Sequence, residues 1–201
     1  MSKTPPKRYI EKDWKSPLLS KEELQLFSET AKTANRYFEF GSGGSTIYVA
    51  ENTDAWIYCV DSSREWLDSL SNHLHSRANV TYKHVDIGPT QKMGMPSDDS
   101  KKHLWPNYSN ALQDSGFEPD LVFVDGRFRP ACILKTIRYA LDNKLNTKIM
   151  LHDCQRKEYN ITYKYLNKLE LTRILCVFEI KQNANLEEVN LLITELEMKP
   201  K

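Results

Sequence analysis

The stretch YFEFGSGGST, Tyr37 to Thr46, runs from aromatic residues through a carboxylate into a glycine loop. Three glycines fall within four positions here, in a chain of 201 residues that has only seven. Glycine has no Cβ, so it admits backbone conformations and close approaches that other residues block. Placed directly after a strand and before a helix, such a loop turns the chain sharply. It also presents backbone N–H groups at a helix N-terminus, where a ligand can meet them. The loop therefore predicts the first strand–turn–helix of an α/β domain.

The rest of the chain extends that pattern. Ser20 and Glu23 form a capping box that opens a helix through about Thr33. Strands are predicted over 36–41, 55–61, 79–86, 119–126 and 147–153, the second and fourth almost continuously apolar, as for a parallel sheet covered on both faces. Helices are predicted over 45–52, 63–76, 107–114, 129–142 and 157–169. The stretches LTRILCVFEI and EVNLLITELE read as two closing strands joined by KQNAN. Five strand–helix alternations and two strands without a helix predict a mostly parallel α/β sandwich with an antiparallel end. The expected organisation is an irregular arm over 1–17 and a single domain over 18–201.

Composition narrows the function. A formal charge of +1 supplies no field for a nucleic-acid partner. No run approaches the roughly 18 apolar residues of a membrane span, and the N-terminus lacks a secretory apolar core. Cys59, Cys132, Cys154 and Cys176 show no CxxC spacing. That pattern suits reduced thiols and predicts a cytoplasmic protein.

Two cofactor readings of the loop each miss a residue. A dinucleotide fingerprint needs glycine where Thr46 stands, and a phosphate-binding loop needs a Gly-Lys-Ser/Thr ending. The arrangement Glu39-x-Gly41-Ser42-Gly43-Gly44, followed by Asp61, Asp86, DLVFVDG and IMLHD at successive strand ends, resembles the class I S-adenosylmethionine-dependent methyltransferases. It is similar in particular to bacterial methyltransferase-like proteins that combine GSGGST, VDG and LHD. The resemblance spans roughly 18–197 and implies a Rossmann-like three-layer sandwich around a seven-stranded sheet with an antiparallel C-terminal hairpin. The Asn/Asp-Pro-Pro-Tyr/Phe motif of DNA N-methylating enzymes is absent.

The resemblance also implies roles. S-adenosylmethionine would lie on Glu39, Gly41, Ser42, Gly43, Gly44 and Ser45, with its ribose on Asp61 and Ser62 and its adenine near Asp86. Asp125, His152 and Asp153 would face the reaction, where a histidine suits a general base for a hydroxyl at neutral pH. Arg127 and Arg129 flank Phe128, and arginines can clamp an anionic group of a small-molecule acceptor. Asp125 and Asp153 are an alternative pair for a divalent cation such as Mg²⁺, which is not favoured, and no metal is assigned. Cation-dependent relatives carry Asp-Asn at the fifth strand, where this chain has His152-Asp153. Trp105, Pro106 and Tyr108 read as a lid or wall over the acceptor. The rival reading is a non-catalytic S-adenosylmethionine-binding or interaction protein.

Overall fold

The structure is a computed structural model and describes residues 15–74 and 77–200. Most of the expected arm and His75 lie outside those residues. One seven-stranded sheet forms the frame, in the order β3-β2-β1-β4-β5-β7-β6. The strands are β1 (Arg36–Phe40), β2 (Trp56–Asp61), β3 (Val80–His84), β4 (Leu121–Val124), β5 (Lys148–His152), β6 (Leu166–Leu171) and β7 (Leu175–Ile180). The first five pair in parallel, and β7 runs antiparallel to both β5 and β6.

Side-chain alternation along β1 explains how both faces are covered. Phe38 and Phe40 enter the apolar layer beneath α4 (Pro106–Ser115), α5 (Arg129–Asp142) and α7 (Leu186–Leu196). Tyr37 enters the opposite layer beneath α1 (Lys21–Ala31), α2 (Gly44–Asn52) and α3 (Arg64–His73). In α1, Ser20 and Glu23 form the capping box, with Ser20 N donating to Glu23 Oε2 at 2.8 Å.

The C-terminal elements differ from the sequence expectation. EVNLLITELE is helical, not a strand. Asn185 Oδ1 accepts from Glu187 N and Glu188 N at 3.0 and 3.2 Å, which caps the helix, and Val189, Ile193 and Leu196 bury one face. The antiparallel hairpin therefore lies one element earlier. The helix expected over 157–169 shrinks to a 3-10 turn at Lys157–Tyr159 and α6 (Asn160–Tyr163). From Leu166 onward the chain pairs with β7, starting from Leu166 opposite Ile180. The LTRIL segment is split by a turn, in which Thr172 N donates to Leu175 O at 2.9 Å.

That hairpin also corrects the expectation of four reduced thiols. β5 pairs antiparallel with β7, which brings Cys154 and Cys176 into a disulfide with Cα atoms 6.0 Å apart. Cys59 and Cys132 are free and buried. Among the described residues no helix is long and apolar enough to cross a membrane.

On the far side, buried Lys135 of α5 donates to Asn110 Oδ1 and Glu197 Oε2, both at 2.6 Å, and so ties α4 and the end of α7 to α5. Removing one partner of a shielded ion pair strands the other. Lys135→Met is expected to lower unfolding stability by about 2–3 kcal/mol, and adding Glu197→Met should recover much of that loss in urea titration.

Candidate active site

The carboxyl ends of β1, β2, β4 and β5 form one rim, as expected where ligands meet an open parallel sheet. At the end of β1, Gly41 adopts φ +92° and donates its N–H to Val60 O at 2.9 Å. A Cβ at Gly41 would lie 2.4 Å from Gly126 Cα, so the loops after β1 and β4 cross backbone on backbone. At Gly44 a Cβ would lie 2.3 Å from Ser16 O, because the segment entering the domain packs on the start of α2. The close approach at these two positions is to the chain itself. Gly43 differs, since its nearest neighbour is the Trp66 indole at 3.6 Å from such a Cβ.

Beneath the loop, Glu39 is fully buried on the α2 side of β1. Its Oε1 accepts from the Ser45 hydroxyl, and its Oε2 from Thr46 Oγ1 at 2.7 Å. Thr46 Oγ1 in turn accepts from Gly43 N at 3.0 Å. The residue that breaks the dinucleotide fingerprint therefore links the buried carboxylate to the glycine loop. Burial raises the Glu39 carboxyl to about 8, even though the Ser45 and Thr46 hydroxyls oppose the shift. From above, Trp66 Nε1 donates to Ser42 O at 2.6 Å.

Asp61 ends β2 partly exposed. Its Oδ1 accepts from Ser63 N at 2.8 Å, while the Ser42 hydroxyl reaches Oδ2 only at 3.5 Å. Ser63, not Asp61, caps α3. Burial raises the Asp61 carboxyl to about 6, against lowering by the N–H groups of Ser63 and Ser42 and by the Arg127 charge. Ser62 is turned away: its hydroxyl donates to Gly94 O at 2.9 Å, in the segment that follows β3. Asp86 is exposed and accepts from Gly88 N at 2.8 Å, a local turn contact.

At the other end of the rim, His152 Nδ1 lies 3.0 Å from Asp125 Oδ1. His152 Nε2 is shielded from solvent and has no hydrogen-bond partner. Burial alone would lower the imidazole pKa, but the hydrogen bond and charge of Asp125 carry it above the ordinary histidine value. Burial would likewise raise Asp125, but Arg129 and His152 hold it below the usual carboxylate range.

Arg129 sits between these groups, 5% exposed. Its Nε donates to Gly126 O at 3.0 Å; its Nη1 to His152 O at 2.8 Å and Asp153 Oδ2 at 3.1 Å; its Nη2 to the Asp125 carbonyl at 2.9 Å. Nη2 also lies 2.8 Å from Asp125 Oδ1. Four hydrogen bonds and a close ion pair thus engage the guanidinium inside the protein. Asp125, His152 and Asp153 place ligand atoms within 4.8 Å of one another, as a metal site would, but Arg129 already supplies the positive charge between the two carboxylates. Asp153 also pairs with Arg156 at 2.5 Å and holds φ +59°.

The expected two-arginine clamp is therefore divided. Phe128 takes the left-handed conformation, φ +53°, between the two arginines, and Arg129 opens α5. Arg127 forms no side-chain hydrogen bond or ion pair among the described residues, and its Nε is buried without a partner. The expected lid is interior wall. Trp105 and Tyr108 are buried, and both rings pack on Phe128 at 5.8 and 5.7 Å. Tyr108 also reaches the rim, where a Cβ at Gly126 would meet its hydroxyl at 2.0 Å. The contact of Trp66 with the loop was not assigned from sequence, because Trp66 comes from a segment distant from the loop.

The chain is similar in structure to solved methyltransferases. A methyltransferase-like protein from Silicibacter pomeroyi matches with TM-score 0.83 at 26% identity, over 92% of this chain and 98% of that one. The fold is that of a class I methyltransferase. A methyltransferase of Streptococcus mutans solved with S-adenosylhomocysteine matches with TM-score 0.51 at 11% identity, over 81% and 99% of the two chains. A precorrin-6y C5,15-methyltransferase from Geobacter metallireducens matches with TM-score 0.50 at 14% identity, over 84% and 94%. No protein-family model and no curated protein matches the chain.

Within this methyltransferase fold, the buried Glu39 makes ligand-free stability pH-dependent. The folded state keeps a proton that the unfolded chain gives up, so this contribution is full below about 4.5 and lost as pH rises through about 8. Between pH 7 and 9 the loss is on the order of 1 kcal/mol, from one proton over one net pKa unit. Glu39→Gln should flatten that slope in thermal unfolding of the ligand-free protein.

Proposed function

We propose that the protein transfers a methyl group from S-adenosylmethionine to a hydroxyl of a small-molecule acceptor. One observation carries the reading: His152, oriented by Asp125, holds an unpartnered, shielded Nε2 on the same strand-end rim as the Asp61 carboxylate. The near-neutral charge of +1 favours a small acceptor over nucleic acid.

The cofactor's fit rests on Asp61. Its Oδ2 has only one long side-chain contact, and burial raises its pKa to about 6, which suits a carboxylate that receives a ligand's paired hydroxyls. The main chain of 41–45, Ser62 and Asp86 would hold the rest of the cofactor, with Glu39 and Ser45 bracing the loop from below. S-adenosylmethionine, when bound, supplies an electrophilic methyl on a sulfonium. His152 Nε2 accepts the proton of the acceptor hydroxyl while Asp125 keeps the Nδ1 tautomer and stabilises the imidazolium. Arg129 and Asp153 hold Asp125 in place. Positioning behind the methyl supplies most of the remaining acceleration.

Calorimetry should detect S-adenosylhomocysteine and not NAD⁺; tight NAD⁺ binding overturns the reading. Asp61→Ala should weaken S-adenosylhomocysteine at least about tenfold, through lost charge-assisted bonds. Because Asp61 accepts best when ionised, affinity should fall as pH drops below about 6. Turnover is measured as S-adenosylhomocysteine release over a library of hydroxyl compounds and RNA. Binding without turnover on any of them favours the non-catalytic rival.

For the reaction itself, kcat/KM should rise with pH along a limb above the ordinary histidine value, since His152 must be neutral to accept a proton. His152→Gln should remove that limb and lower kcat by about 100-fold or more, within the range of general base catalysis. Asp125→Asn should move the limb to lower pH. Chelators should leave the rate unchanged, because Arg129 holds the position between Asp125 and Asp153.

A further inference from the structure

Of the two arginines in GRFRP, Arg129 is saturated, and Arg127 is left with a half-buried guanidinium and a shielded, unpartnered Nε. Shielding a donor from water without a partner is unfavourable, and more so when the group is charged. The positive charge of Arg127 acts on both Asp61 and Asp125, so the side chain stands between the ends of β2 and β4, yet it bonds to neither. Tyr108 stands against Gly126, the residue preceding Arg127, and Asp125 Oδ1 and the Asp125 carbonyl are already taken by His152 and Arg129. A planar fork with free donors, held beside a reaction rim, matches an oxyanion with two coplanar oxygens.

Resting on the methyl-transfer reading, we propose that Arg127 receives a carboxylate or phosphate carried by the acceptor, so that the acceptors are anionic hydroxyl compounds. The consequence is selectivity. A neutral amide or ester of the same skeleton leaves the guanidinium shielded and unpaired, and is disfavoured for that reason. The amino-acid end of the cofactor carries a carboxylate of the same chemistry, and the experiment separates the two sources.

The probe is inorganic phosphate, titrated calorimetrically in a buffer free of other oxyanions. The wild type, Arg127→Met and Arg127→Lys are each titrated free and saturated with S-adenosylhomocysteine. Wild type is expected to bind phosphate in both forms. Arg127→Met should bind at least about tenfold more weakly, and Arg127→Lys, which keeps charge without the fork, should fall between. Cooperative melting of both variants, and S-adenosylhomocysteine affinity equal to wild type, are part of the expected result. Phosphate binding that does not depend on residue 127 overturns the proposal. So does a second pattern: S-adenosylhomocysteine displaces phosphate, and Arg127→Met weakens S-adenosylhomocysteine but not 5′-methylthioadenosine. That pattern assigns the anion to the cofactor. Failure of wild type to bind S-adenosylhomocysteine refutes the methyl-transfer reading, while the phosphate arm on the free protein still decides the role of Arg127.

Discussion

The guanidinium of Arg129 joins the ends of β4 and β5, and the acid–base geometry depends on it. It bonds the carbonyls of residues 125, 126 and 152, so the two strand ends keep a common separation. It also lies against the Asp125 and Asp153 carboxylates, which would otherwise repel each other across the rim. With Asp125 held below the usual carboxylate range, its oxygen is available to orient His152. A lysine could not replace it, because an ammonium offers three donors on a flexible stem and this site takes four hydrogen bonds from a planar fork.

A second constraint acts at the glycine loop. Gly41 and Gly126 touch through their backbones, which brings the loop after β1 against the loop after β4. The ends of β1 and β4 are adjacent on the rim for that reason. Beneath the loop, Glu39, Ser45 and Thr46 form a buried polar cluster that sets where α2 begins. Such a cluster is stabilising only while every member is satisfied. Its carboxyl holds a proton near neutrality because the surroundings are apolar.

Much of the fold was legible because it rests on local signals. The Ser20–Glu23 box, the apolar β2 and β4 runs and the 129–142 helix each carry a period or a cap within a short window. The C-terminus was misread where two periods fit the same residues. EVNLLITELE alternates well enough for a strand, yet Asn185 caps it and its apolar residues share a helical face. LNKLEL has a weak pattern of its own and becomes a strand through its pairing with β7. The Cys154–Cys176 contact depends on that same pairing and has no trace in the cysteine spacing.

The sequence by itself determined the order of elements through β5, the glycine turn and the placing of Asp61, Asp125 and His152 at strand ends. Period, capping and chain reversal are properties of a few consecutive residues. Only the tertiary structure decided which polar groups are engaged and which are free. Arg127 and Arg129 are equivalent on paper, yet on either side of the left-handed Phe128 Arg129 makes four internal hydrogen bonds and Arg127 none from its side chain. Glu39, expected to hold the loop and the methionine end of the cofactor, is bonded beneath the loop to Ser45 and Thr46. Hydrogen-bond partners come from other strands and helices, at separations that a one-dimensional pattern does not encode.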